Sequence, residues 1–214
     1  WMMGGQGPVH YDKTIEAENW EEIRSNYAPA IQPSLNTLMN MKSADVDAGK
    51  LILWHGEPGT GKTHAIRALC AKWNEWSTAM YITDPETFFG RSDYMTRTVF
   101  ESSGYKASLL ILEDADEFIS ADAKNRTGQG MSRLLNLADG LIGQGLNLLI
   151  LITTNEKIGN LHPAMQRPGR CLATINFESF TPEQAKAWLK DKGCERGQLD
   201  SGPHTLAKLY DQVN

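Results

Sequence analysis

Short apolar runs punctuate the chain at intervals: "LILWH" at 51–55, "AMYIT" at 79–83, "LLILE" at 109–113 and "LLILITT" at 148–154. A fifth, "ATINF" at 173–177, follows. Runs of this length, dominated by Leu and Ile, fit strands buried on both faces better than half-solvated strands, whose residues would alternate. Between them, 62–75, 93–103 and 130–142 read as helical segments. Strands alternating with helices predict right-handed crossovers and an α/β sandwich of three layers around a mostly parallel five-stranded sheet. Ligands in such sheets bind beyond the carboxyl ends of the strands.

The ends read differently. Residues 1–19 open with Gly and Pro and lack periodicity, so a linker is expected there. From Trp20, the residues Ile23, Tyr27, Ile31, Leu35 and Leu38 recur at helical spacing, interrupted by Pro29 and Pro33, predicting one or two helices. The main α/β unit is expected over 20–178. After it, "FTPEQAKAWLK" offers Thr181 as N-cap, Pro182 at the first helical position and Gln184 to close a capping box. A second short helix is expected near 203–213, making 179–214 a small helical appendage.

The chemistry sits at the strand ends. "GEPGTGKT", 56–63, matches the Gly-x-x-x-x-Gly-Lys-[Ser/Thr] loop in full, after one strand and before one helix. Gly56, Gly59 and Gly61 let backbone N–H groups wrap a phosphate, with Glu57, Pro58 and Thr60 completing the loop and the following His64 expected to cover the adenine side. Lys62 is placed to bridge the β- and γ-phosphates of ATP, and Thr63 to put its hydroxyl on Mg²⁺. The fold class is therefore expected to be that of the P-loop NTPases. Such a loop needs a carboxylate on a neighbouring strand for the magnesium and a second group to activate water. "LLILEDADEF" supplies candidates: Glu113, Asp114, Asp116 and Glu117.

Taken together, "GEPGTGKT", "LLILEDADEF" and "LITTNEKIGNLHPAMQRPGR" resemble the ATPase module of the AAA+ family, in its AAA clade. Most of that clade ends the acidic strand in Asp-Glu, with the metal first and the base second. This chain has the reverse order, as does the mitochondrial Rieske-protein translocase branch. With the register set by the apolar strand and by Asp116, the resemblance implies Glu113 at the metal and Asp114 as base; exchange of the two roles is the alternative. Asp116 and Glu117 are expected to cap the next helix or to face solvent or a neighbour. Asn155 stands where the family's sensor residue orients the attacking water.

"LHPAMQRPGR" resembles the clade's "LDPALLRPGR", with His162 in place of Asp, and implies Arg167 and Arg170 as arginine fingers acting in trans. That motif makes sense in an oligomer, and the family's form is a homohexameric ring. Phe88-Phe89-Gly90 fits the aromatic–hydrophobic–glycine triplet with which protein-remodelling members grip a substrate in the pore; packing under the helix is the alternative. Thr83 is a candidate coupling residue. Asp139-Gly140 resembles an intersubunit turn and equally suits a helix C-cap. "SGPHTLAKLY" resembles the lid segment near the nucleotide, suggesting Gly202 and His204 as contacts. The lid is expected to be short or truncated.

Charge narrows the partners. Lys plus Arg total 21 against 26 Asp plus Glu, net −5, which disfavours nucleic acid as the main partner. Cys70, Cys171 and Cys194 show no paired spacing, so a reducing, cytoplasmic location is expected and a zinc site is not. No apolar run approaches the ~20 residues of a membrane span. The chain begins with Trp1, and a fragment is expected. The leading expectation is an Mg²⁺-dependent ATPase remodelling a protein substrate. An ATP-dependent assembly switch and a nucleic-acid-associated loader are the alternatives.

Overall fold

The computed structural model describes residues 1–43, 50–101, 106–119, 127–139, 146–161, 165, 167, 169–194 and 199–213. Its centre is an all-parallel sheet of β3 (Leu51–Gly56), β4 (Ser77–Tyr81), β5 (Ala107–Leu112), β6 (Leu148–Thr154) and β7 (Cys171–Phe177), in the order β4-β5-β6-β3-β7. These are the five expected apolar runs, with small shifts at their ends. Every residue of β5 and β6 is buried, as parallel strands covered on both faces must be.

Pleating sends alternate side chains to opposite cores. Leu51, Leu53, Leu110, Leu112, Ile150 and Ile152 pack with helices α4 (Pro85–Gly90), α5 (Ser92–Glu101), α6 (Asp116–Ile119) and α7 (Thr127–Asp139). Ile52, Trp54, Leu109, Ile111, Leu149 and Leu151 pack instead against α1 (Trp20–Ile23), α2 (Gln32–Met39) and α3 (Lys62–Trp73). The result is the expected three-layer sandwich of the P-loop NTPase type. Trp73, fully buried, anchors α3 by donating its indole N–H to the Leu38 carbonyl at 3.1 Å.

Two regions depart from expectation. Residues 1–9 are a hairpin, β1 (Met2–Gly4) against β2 (Gly7–Val9), joined by a two-residue turn. Trp1 extends it onto the sheet edge: its backbone nitrogen donates to the Tyr81 carbonyl at 2.7 Å, and its carbonyl accepts from the Thr83 N–H and hydroxyl, each at 3.1 Å. The edge strand β4, which would otherwise present unpaired groups, is capped there. Thr83 is engaged with this hairpin.

The second departure corrects the exposed pore-loop reading of Phe88-Phe89-Gly90. Asp84 caps α4 by accepting from Thr87 N–H at 2.9 Å, and Pro85 occupies the first turn, so the segment is helical. Phe88 and Phe89 are 0% and 2% exposed. Phe88 meets Tyr94 edge to face at 5.3 Å, and Phe89 lies 5.2 Å from Phe118. Gly90 alone of the three is exposed.

At the C-terminal end, α8 (Pro182–Asp191) begins with the expected Thr181–Gln184 capping box, and α9 (Leu206–Val213) packs on it around Phe180, Trp188, Leu189 and Leu209. Among the described residues no helix is long and apolar enough to cross a membrane. Cys70, Cys171 and Cys194 form no disulfide.

Core burial of Phe88 carries a measurable consequence. Phe88→Ala is expected to cost about 3–5 kcal/mol, read as a lowered urea midpoint. A loss within about 0.5 kcal/mol, the range of exposed positions, would return the ring to the surface.

Candidate functional site

The site lies at the carboxyl ends of β3, β5 and β6, where the apolar strands give way to polar residues. The loop after β3 has the backbone a phosphate cradle needs. Gly56 has φ 145° and Gly61 has φ 93°, regions closed to most L-residues. A Cβ at Gly56 would collide with the Phe177 carbonyl, and one at Gly61 would sit 2.9 Å from Leu206 Cδ2. Thr60 stiffens the turn through its hydroxyl bond to the Glu57 carbonyl at 2.8 Å, and Glu57 itself accepts from the Ser179 hydroxyl at 3.0 Å. Pro58 lies in the same turn, and α3 begins immediately after Gly61, aiming its N-terminus at the loop.

Lys62 is 7% exposed yet cationic, so its ammonium must be satisfied internally. It donates to the Gly56 carbonyl at 2.6 Å, the Glu57 carbonyl at 3.1 Å and Asn155 Oδ1 at 3.0 Å. Burial lowers its pKa, opposed by the nearby charges of Asp114, Asp116 and Glu113. The bond to Asn155 links the loop to the end of β6.

Asn155 is held from the other side by Asp116, which accepts from its N–H at 2.7 Å and its Nδ2 at 2.9 Å. Thr154 donates to the same carboxylate at 2.5 Å. Burial by itself would raise the Asp116 carboxyl, but the bonds from Thr154 and Asn155 and the charge of Lys62 bring it below its ordinary value. The expectation that Asp116 merely caps a helix or faces solvent is thus too small: it also sets the amide of Asn155. Its partners lie 38 and 39 residues away, beyond the reach of local pattern.

Glu113 and Thr63 are brought together. The threonine hydroxyl donates to Glu113 Oε1 at 2.6 Å, across 50 residues of sequence. The next residue, Asp114, is exposed and has φ 50°, the only non-glycine with positive φ among the described residues. Such strain concentrates at functional turns. The turn is pinned to β6: Asp114 N–H donates to Thr153 Oγ1 and Ala115 N–H to the Thr153 carbonyl, both at 3.0 Å.

A hard cation such as Mg²⁺ favours one or two protein oxygens together with substrate phosphates. Thr63 Oγ1 and Glu113 Oε1 meet that demand beside the phosphate loop. Among the described residues no group of three or more His, Cys, Asp or Glu forms a self-sufficient metal cage. Two protein oxygens beside a phosphate loop suit a cation whose other ligands come from bound phosphates and water.

Other candidates lie further out. Arg167 is exposed, whereas Arg170 is 9% exposed and its carbonyl accepts from the Lys50 and Leu51 N–H groups at the start of β3. His162 and Gly140 lie outside the described residues, as does the side chain of Asp139. His64 contacts Glu18. Gly202 closes a turn on Asp200 at 2.9 Å, and His204 bridges Phe180 through the backbone. The residues that reach the phosphate loop come slightly later: Ala207 N–H donates to the Gly59 carbonyl at 2.9 Å, beside Thr205 and Leu206. Tyr27, likewise not singled out as a site residue, donates its hydroxyl to the Gly61 carbonyl at 3.3 Å.

Comparison with known proteins agrees with this geometry. The family model described as "ATPase family associated with various cellular activities (AAA)" matches residues 52–179. A second, described as a domain of unknown function (DUF5925), matches residues 1–40. Protein CdcH of Halobacterium salinarum is 32% identical over 127 residues, covering 56% of this chain and 16% of that protein. Protein SAV of Sulfolobus acidocaldarius is 36% identical over 134 residues, 58% of this chain and 16% of that protein. The 26S proteasome regulatory subunit 6B homolog of Aspergillus niger is 29% identical over 172 residues, 75% of this chain and 38% of that protein. The chain thus spans well under half the length of these curated relatives.

The Asp116 arrangement generates a pH-dependent prediction. Asp116→Asn is expected to lower stability by about 1–2 kcal/mol at neutral pH through loss of charged acceptors. The native carboxyl titrates below its ordinary value of 3.8, so its contribution is complete above that value and fades as pH falls through the native pKa. Urea titrations at neutral pH and below pH 3.8 should show the gap between wild type and variant closing in acid. A gap of constant size would mean that the carboxylate charge does not matter.

Proposed function

This chain belongs to the AAA family of ATPases, and from that premise we propose that it is an Mg²⁺-dependent ATP-hydrolysing module working in an oligomeric ring on a protein substrate. The observation that carries the proposal is the convergence of Lys62, Thr63, Glu113 and Asn155 at one end of the sheet, with Lys62 bonded to Asn155 and Thr63 to Glu113.

In this reading the loop 56–63 holds the β- and γ-phosphates through its N–H groups and Lys62. Thr63 and Glu113 would hold Mg²⁺, which would supply positive charge against that developing on the phosphates. Asp114, at the strained turn beyond Glu113, takes the proton of the attacking water, and Asn155 orients that water. Asp116 and Lys62 hold the Asn155 side chain from both sides, so its amide is aimed before the nucleotide arrives. Arg167 and Arg170 act on a neighbour's nucleotide, and the exposure of Arg167 suits it to the leading role.

A protein substrate is favoured by the acidic balance and by similarity to a proteasome regulatory subunit. The buried rings of Phe88 and Phe89 lend that reading no support.

The decisive experiment measures ATPase rate per subunit against protein concentration at saturating Mg²⁺ and ATP. A cooperative rise is expected, and Arg167→Ala should flatten it. Asp114→Asn should cut turnover by roughly 10²-fold or more while ATP still binds. A constant rate at all concentrations would remove the ring, and full turnover in Asp114→Asn would remove Asp114 as base.

A further inference from the structure

Asn26 lies between α1 and α2, only 3% exposed, in a place where an unpartnered amide would be costly. Both ends of its side chain are used, and both partners belong to the C-terminal helices. Nδ2 donates to the Tyr210 hydroxyl at 3.0 Å, and Oδ1 accepts from Trp188 Nε1 at 3.1 Å. An indole N–H only donates, so it must meet Oδ1, and this leaves the amide NH₂ for Tyr210. These contacts span 184 and 162 residues. The two partner rings also meet edge to face at 5.1 Å, so the bonds end on one rigid unit.

The next residue faces the nucleotide site. Tyr27 is 2% exposed, its hydroxyl donates to the Gly61 carbonyl at 3.3 Å, and a Cβ at Gly61 would lie 3.1 Å from its ring. Burial first, then the nearby Tyr210 and Glu18, raise the Tyr27 hydroxyl well above its ordinary value, so it stays a donor. From the other side, Leu206 approaches Gly61 and Ala207 bonds the Gly59 carbonyl. The dipeptide Asn26-Tyr27 therefore touches the C-terminal helices and the phosphate loop at once. Those helices bury a small apolar cluster of their own, Phe180, Ala185, Trp188, Leu189, Leu206 and Leu209. A cluster of that size leaves their orientation dependent on attachments to the main body.

We propose that Asn26 is a positioning residue for the nucleotide site: it clasps the lid formed by α8 and α9 onto the body, and so sets nucleotide affinity through the position of Thr205–Ala207 over the phosphate loop. The proposal rests on the ATP-binding reading above. Asn26 acts at a distance, through Trp188 and Tyr210, and takes no part in bond making.

The test uses the whole chain with Asn26→Leu, Tyr210→Phe and the double substitution. Amide hydrogen exchange is measured without nucleotide, and ATP affinity and KM are measured separately. Each single variant should speed exchange across 182–213 by roughly three- to tenfold, the effect of losing one or two neutral hydrogen bonds, with β3, β5 and β6 unchanged. ATP affinity should weaken, and KM rise, by a similar factor, while kcat at saturation holds. Tyr210→Phe should add nothing in the Asn26→Leu background, because both remove the same bond. Unchanged lid exchange in either single variant overturns the clasp. Faster exchange with unaltered ATP affinity overturns the positioning role. Tyr210→Phe keeps the ring and decides the matter should Asn26→Leu fail to fold. A wild-type chain that binds no ATP would sink the proposed function, and the exchange data would still decide the clasp.

Discussion

The structure around the site depends on a single buried cation. Lys62 carries its ammonium into a place too dry for a free charge, and it is stable there only because three oxygens converge on it. Two of those oxygens belong to the turn from which the lysine itself emerges, so the loop must curl tightly, which explains its glycines at positive φ. The third belongs to Asn155, so the end of β6 must stop level with the end of β3. Their register, Trp54 opposite Thr153 and His55 opposite Thr154, achieves this. Asp116 then balances the pull of Lys62 on Asn155. One charge requirement thereby fixes the relative height of a loop, a strand end and a short helix.

The two faces of the sheet divide the work. Helices α4–α7 and their aromatic cluster, including Phe88 and Phe89, form a solid support whose role is packing. The opposite face carries α3 and the N-terminal helices, and there the polar groups that serve phosphate lie directly against apolar side chains. Tyr27 illustrates the join: its ring packs edge to face on Phe177 at 5.9 Å while its hydroxyl reaches the phosphate loop. An aromatic residue with a polar tip suits a boundary of this kind.

Legibility followed sequence distance. The five strands were readable because buried parallel strands are continuous apolar runs, and the phosphate loop because its residues are contiguous. The capping box at Thr181 was readable because its partners are three residues apart. Other features depend on contacts that no local pattern encodes. The bonds of Asp116 to β6 and of Asn26 to the lid join segments far apart in the chain. The hairpin at 1–9 was hidden because strands of three residues with Gly and Pro carry no periodicity. The α4 helix was hidden for another reason. "DPET" is a sound N-cap and first turn, but a pore-loop triplet requires exposed rings, and burial of two Phe side chains is the stronger physical force.

Strand geometry also bears on the reversed Glu113-Asp114 order. Leu109 and Ile111 point to the α3 face, and alternation carries residue 113 to that same face, where Thr63 waits on the first turn of α3. Whichever acid stands at 113 must face Thr63, so its place beside that hydroxyl is set by the pleat and not by its identity. The additional methylene of Glu113 lengthens its reach toward that hydroxyl. Asp114 cannot share the position, because its φ of 50° breaks the strand and its backbone is tied to Thr153. Bringing Asp114 against Thr63 by a slip of β5 would turn Leu109 through Leu112 away from their cores. In the proposed mechanism the order Glu-Asp thus keeps the division of labour of the commoner Asp-Glu, with the shorter acid at the exposed turn.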